Sequence, residues 1–175
     1  MKYKIIFLTL SLISYGVFAA DTAPAATATT LPAPVPAARG PALDLAVEAA
    51  LEAIKTCTAI EQKVAVSVVD SAGVLKVLLA SDGAAPRGVQ SGNNKAVTAL
   101  AFKTATSQIA EQVKTDKELA DKIAANPNYA ARAGGVLIKV NDEIIGAIGV
   151  GGARGSEKDE ACALAGLQKV QARLK

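Results

Sequence analysis

The stretch Gly134–Gly166, GGVLIKVNDEIIGAIGVGGARGSEKDEACALAG, sets the architecture of the chain. Val136–Val140 and Glu143–Val150 are nearly unbroken Val, Ile, Leu and Ala, and Asn141-Asp142 between them suits a two-residue turn. The spacing therefore predicts a buried β-hairpin. Gly149, Gly151, Gly152 and Gly155 follow, and they let the backbone turn sharply out of the sheet. Ser156–Leu174 then reads as a helix, with Ser156 as its N-cap and Asp159 in a capping-box position.

Upstream, Val64–Val69 and Val74–Ala80 are two β-branched runs joined by Asp70-Ser71-Ala72-Gly73, which predicts a second hairpin. Pro41 to about Ala59 has the period of an amphipathic helix, with Leu43, Val47, Ala50, Leu51, Ile54 and Thr58 on its inner face. Ser81–Gly88 contains Asp82-Gly83 and Ala85-Pro86 and reads as a loop. A helix is expected to start near Gln90 or Asn93 and to run to Lys103. Ala105–Lys114 and Asp116–Ala125 read as short helices, the second capped by Asp116 and stopped by Asn126-Pro127. The order is helix, two strands, helical middle, two strands, helix. It predicts an α+β fold (α/β in the broad sense): a central antiparallel sheet flanked by helices, its N- and C-terminal helices packed together on one face.

Ahead of this domain, residues 1–19 have the form of an export signal. Lys2 and Lys4 precede the mostly apolar Ile5–Phe18, and Val17-Phe18-Ala19 offers small residues for cleavage. The alternative, an uncleaved anchor, needs a longer apolar run. Residues 20–42 are mostly Ala, Pro and Thr, a composition expected to form a disordered linker. That leaves 43–175 as one domain with a single core, expected in the periplasm or secreted.

The chain has 19 basic and 16 acidic side chains; without Lys2 and Lys4 the balance is 17 to 16. Aromatics make up 3% of the residues, and no basic run is interleaved with them, which argues against nucleic-acid binding. Histidine is absent, which removes Ser-His-Asp and Cys-His catalysis, histidine zinc sites and histidine-ligated haem. No catalytic constellation and no metal site is expected.

Cys57 lies near the end of the first helix and Cys162 near the start of the last. Two antiparallel helices on one sheet face bring those ends together, and an oxidising compartment would join them as a disulfide. Closing a loop of about a hundred residues stabilises by up to about 4.7 kcal/mol in the chain-entropy model. The alternative is two buried free thiols acting as small hydrophobes.

Val68-Val69-Asp70-Ser71-Ala72-Gly73-Val74-Leu75, Asp82-Gly83-Ala84 and Lys95–Phe102 resemble the family of small haem-binding, haem-degrading-domain proteins (GlcG/HbpS-like). Gly134–Ile138, Gly146–Gly152 and Asp159-Glu160 match its second half, so the resemblance runs from about Leu43 to Val170. It implies homo-oligomers, haem or a related tetrapyrrole as ligand, and a protein partner that senses the bound state. It also places Lys95 beside the ligand. Where the family commonly has an arginine-methionine pair, this chain has Ala80-Ser81.

The candidate ligand-binding residues are Lys95, Tyr129, Arg132, Gly151 and Gly152. Lys95 suits a carboxylate or propionate, or else is an ordinary helix-surface lysine. Arg87, Arg132 and Arg154 are further cations for an anion. Iron would have to use Tyr129, Lys95, a cysteine, or a hydroxyl such as Thr98 or Thr104; tyrosinate is an established haem ligand, with Arg132 close in sequence to lower its pKa. The bland reading packs the Tyr129 ring over the hairpin. Gly149–Gly155 before a helix invites an anion site, but it lacks the lysine and Ser/Thr of a nucleotide loop. The functional expectation is an exported small-ligand-binding protein for haem or a related tetrapyrrole, with at most weak haem degradation. The alternative is a cofactor-free interaction or sensing module that binds a protein partner or a small carboxylate.

Overall fold

The computed structural model describes residues 38–175. The expected signal, 1–19, and most of the expected linker, 20–42, lie outside the described residues. The elements run α1 (Leu43–Ala59), β1 (Ala65–Asp70), β2 (Leu75–Ala80), α2 (Pro86–Phe102), α3 (Thr106–Gln112), α4 (Lys117–Ala124), β3 (Gly135–Val140), β4 (Glu143–Gly151) and α5 (Ser156–Val170), ending in a short 3-10 turn at Gln171–Arg173. The fold is α+β, with one four-stranded antiparallel sheet in the order β2-β1-β4-β3.

Both expected hairpins form. In the first, Asp70 Oδ1 accepts from the backbone N–H of Ala72 and of Val74, both at 2.9 Å, and Gly73 takes φ 80°. This is the local bond by which Asp holds a turn. In the second, Asn141 takes φ 52°. The hairpins join through β1 and β4, where Ala65 faces Gly151 and Asp70 faces Gly146.

The alternation of β1 sorts the two faces. Val66 and Val68 join Ile148 and Val150 beneath α1 and α5, while Val69 and Ala147 meet Ala96 and Ala99 of α2. The terminal helices share one face, as expected, and Cys57 is bonded to Cys162 with their Cα atoms 5.7 Å apart.

The buried stripe of α1 differs from the expected one. It is Ala46, Ala49, Ala50, Ala53 and Cys57, and Leu43 and Leu51 are exposed. The cause is the close approach of α5, where a Cβ on Gly166 would collide with the Ala49 carbonyl. Only small side chains fit such a contact.

Three further corrections bear on the site. The helix expected from Gln90 or Asn93 begins at Pro86, inside the expected loop, with Ala85 as N-cap. Proline is favoured at the first helical position because its missing N–H has no helical partner there. Ser156 is the first residue of α5 instead of its cap; Gly155, at φ 106°, precedes it and no side chain caps the helix. Asp159 is not part of a capping box: its carboxylate is buried and committed to other partners.

Candidate functional site

Helix α2 lies against β4 through its N-terminal half. A Cβ on Gly149 would meet the backbone of Gly92 and Ala96, and one on Gly151 would lie 2.5 Å from Gly92 N and 2.6 Å from Gly88 O. Glycine on both sides lets helix and strand touch along their backbones. Immediately beyond that contact the β4–α5 connection peels away, and a cleft of about 400 Å³ opens between it and α2. Arg87, Gly88, Ser91 and Lys95 line it from α2, Gly152, Ala153 and Asp159 from the opposite wall, and Arg132 from the loop ahead of β3.

Lys95 and Asp159 form the floor. Their side chains are only 2% and 3% exposed and lie 2.6 Å apart, Nζ to Oδ2. Lys95 Nζ also donates to the Val150 carbonyl at 3.0 Å, and Asp159 Oδ1 accepts from the Ala153 N–H at 3.0 Å. Thus one pair ties α2 to the end of β4 and to the start of α5. Burial lowers the Lys95 pKa below its ordinary 10.5, against the pull of Asp159, and burial likewise raises that of Asp159 above 3.8, against the pull of Lys95. Both shifts favour the uncharged partners, because desolvation outweighs their attraction.

The rim is cationic. Arg87 and Arg132 are exposed, and neither pairs with a carboxylate among the described residues. The loop that carries Arg132 is held by α2: Thr98 Oγ1 accepts from the Ala130 N–H at 2.8 Å, and Asn94 Nδ2 donates to the Pro127 carbonyl at 2.9 Å. Beyond it, Glu160 accepts from the Gly134 N–H at 3.2 Å and from Ser107 Oγ at 2.7 Å.

Of the residues singled out in the sequence, Lys95, Arg132 and Gly152 meet at this cleft. Gly151 is buried in the helix–strand contact beside it. Tyr129 packs edge-to-face on Phe102, with ring centroids 5.3 Å apart, and does not line the cleft. Arg154 is also outside the lining, its N–H bonded to Gln62. Asp159 was missed as a site residue because its position three after Ser156 matches a capping box. Ser81, in place of the family's methionine, accepts from the Val64 N–H and donates its own to the Val64 carbonyl, both at 2.9 Å, so it fastens the open end of the first hairpin.

The fold is a small α+β domain, and it carries a polar cleft with a cationic rim. The sequence profile of the haem-degrading, HbpS-like proteins matches residues 42–168. The chain therefore belongs to that family. No curated protein matches it. Among solved structures, HbpS is 30% identical, with 77% of this chain and 92% of that one covered and a TM-score of 0.69. A double mutant of the Streptomyces reticuli HbpS is 31% identical over 78% and 95%, with the same TM-score of 0.69. The Klebsiella pneumoniae protein ORFY is 26% identical over 83% and 100%, at 0.72. A PduOC:heme complex, at 21% identity and TM-score 0.68, shares the fold.

Haem is the group this family implies. The cleft suits its propionates, through the two unpaired guanidinium groups. It does not suit the iron or the macrocycle. Lys95 Nζ lies at the buried floor of the cleft, Tyr129 stacks elsewhere, both cysteines are in the disulfide, and no aromatic side chain lines the walls. Among the described residues no cluster of three or more His, Cys, Asp or Glu could hold a metal ion.

Proposed function

We propose that the chain is an exported binding protein whose cleft recognises the carboxylate groups of its ligand. The observation that carries this reading is the pair of unpaired guanidinium groups, Arg87 and Arg132, at the mouth of a polar cleft whose own buried carboxylate is already matched by Lys95. A cation without a partner attracts an anion, and guanidinium binds carboxylate in a two-pronged geometry. Such carboxylates have two sources. A haem or related tetrapyrrole offers propionates, with its ring outside the cleft and its iron without a protein ligand there; family membership supports this source. A compact carboxylate metabolite is the second, supported by the cleft's size and by the lack of aromatic walls. On either reading the protein is a binder, and any haem breakdown would be the cofactor's own chemistry.

Calorimetric titration with haemin and with pyruvate separates the two. Carboxylate recognition predicts saturable binding of at least one, weakened about tenfold or more by Arg132→Ala, the usual scale for losing one charge-assisted bond. A saturating Soret shift with no heat from pyruvate assigns the tetrapyrrole; the reverse assigns the metabolite. Binding of neither, or binding that ignores Arg87→Ala and Arg132→Ala, would end the proposal.

A further inference from the structure

The cleft has a primary amine at its floor. Lys95 Nζ donates twice, to Asp159 Oδ2 and to the Val150 carbonyl. In the uncharged pair one N–H of Nζ bonds the Val150 carbonyl and the carboxyl O–H at Oδ2 meets the Nζ lone pair, so a ligand carbonyl that takes this proton frees the lone pair to attack. The amine lines the same cavity as Arg132, Arg87 and Ser91, which sits one helical turn before it. Desolvation and a nearby cation hold a lysine toward its neutral, nucleophilic form, and the carboxyl group beside it can carry protons.

We propose that Lys95 condenses with the ketone of a 2-oxo acid to form an imine within the cleft, while Arg132 and Arg87 hold that ligand's carboxylate. This rests on the carboxylate-binding reading above and names the ligand class that uses the lysine as well as the arginines. The step balances with groups already in place. The Nζ lone pair attacks the carbonyl carbon as Asp159, protonated, gives its proton to the carbonyl oxygen, which forms a carbinolamine. The nitrogen returns a proton to Asp159. Asp159 then passes it to the departing hydroxyl, so that the C–O bond breaks, water leaves, and a C=N bond forms. The product is an iminium cation opposite the Asp159 carboxylate, the charge arrangement that the original ion pair also has. No oxidant or reductant is consumed. The shifts of both groups toward their uncharged forms support this sequence, since the attacking amine and the protonated acid are the forms that burial favours.

The test is reductive trapping. The protein is incubated with pyruvate and sodium cyanoborohydride, and its peptides are mapped by mass. The expected result is one adduct on Lys95, heavier by pyruvic acid less one oxygen atom. It should be lost with lactate, which has no ketone, and in Lys95→Arg, which keeps the charge but cannot form the imine. Arg132→Ala, an exposed change that breaks no hydrogen bond of the buried pair but removes a positive charge that holds the Lys95 pKa down, should reduce the labelling as well, so the result does not hang on whether Lys95→Arg folds. Unmodified Lys95, whether or not exposed lysines such as Lys55 and Lys117 are labelled, would overturn the inference. In that case, binding of lactate, pyruvate or haemin that depends on Arg132 would leave the carboxylate site standing, whereas no binding of any of the three would remove both.

Discussion

Lys95 and Asp159 face each other nearly without water, and the energetics of such a pair are lopsided. Removing one partner leaves the other as a buried, uncompensated charge, while replacing both by apolar groups of similar size is often neutral. Lys95→Met should therefore cost about 3–5 kcal/mol in urea unfolding, and the double change with Asp159→Leu should regain most of that. A double variant no more stable than Lys95→Met would show that the pair does more than cancel charge. The pH dependence follows from the lysine. Its folded pKa lies below 10.5, so between those values the unfolded chain holds more protons, and the contribution of Lys95 to stability rises with pH across that interval. Asp159→Asn removes the attraction that holds the lysine's pKa up, which widens the interval downward. Denaturation of Asp159→Asn from neutral pH to about 10 should show stability climbing more steeply than in the unaltered protein, and parallel profiles would contradict this. At this scale the sequence was half legible. Lys95 and Arg132 stood out as cations near a glycine turn. The partner of Lys95 did not, because an acid three residues after a serine at a helix start has a local explanation that conceals a long-range one.

The elements were the most legible part. The β-branched runs, the Asp70–Gly73 and Asn141-Asp142 turns, and the Asp116 cap, which accepts from the Leu119 N–H at 2.9 Å, are decided by neighbours in sequence. What went unread depends on tertiary contact. Pro86 looked like part of a loop because nothing local shows that a helix packs behind it, and the alanine stripe of α1 was hidden by the larger leucines on its other face. The contact of α2 with β4 is the most sensitive of these joints. Gly149→Ala should cost at least 1–3 kcal/mol, roughly the scale of overpacking, because the obstructing atoms are backbone and have nowhere to move. It should also displace Lys95, one turn along α2 from Gly92. A variant as stable as the parent would mean that helix and strand separate more easily than their contact implies.

For the molecule as a whole, the disulfide joins the first helix to the last across a sequence separation of 105. Replacing both cysteines by alanine should lower stability by about 2–5 kcal/mol, read as a shift in the urea midpoint. An unchanged midpoint would mean that the small-residue packing of α1 on α5 suffices alone. Edge strand β2 leaves Leu75 and Leu78 exposed, and no helix among the described residues is long and apolar enough to cross a membrane. If this edge pairs with a second copy of the chain, Leu78→Lys should lower the mass seen by light scattering, and an unchanged mass would rule that contact out. Binding in the cleft is read residue by residue in amide NMR. Titration with pyruvate or haemin should move the resonances of Ser91, Gly152 and Ala153 together, saturably, and not in Arg87→Ala/Arg132→Ala. Saturable shifts confined to another face, or none with either ligand, would mean that the cleft is not a binding site.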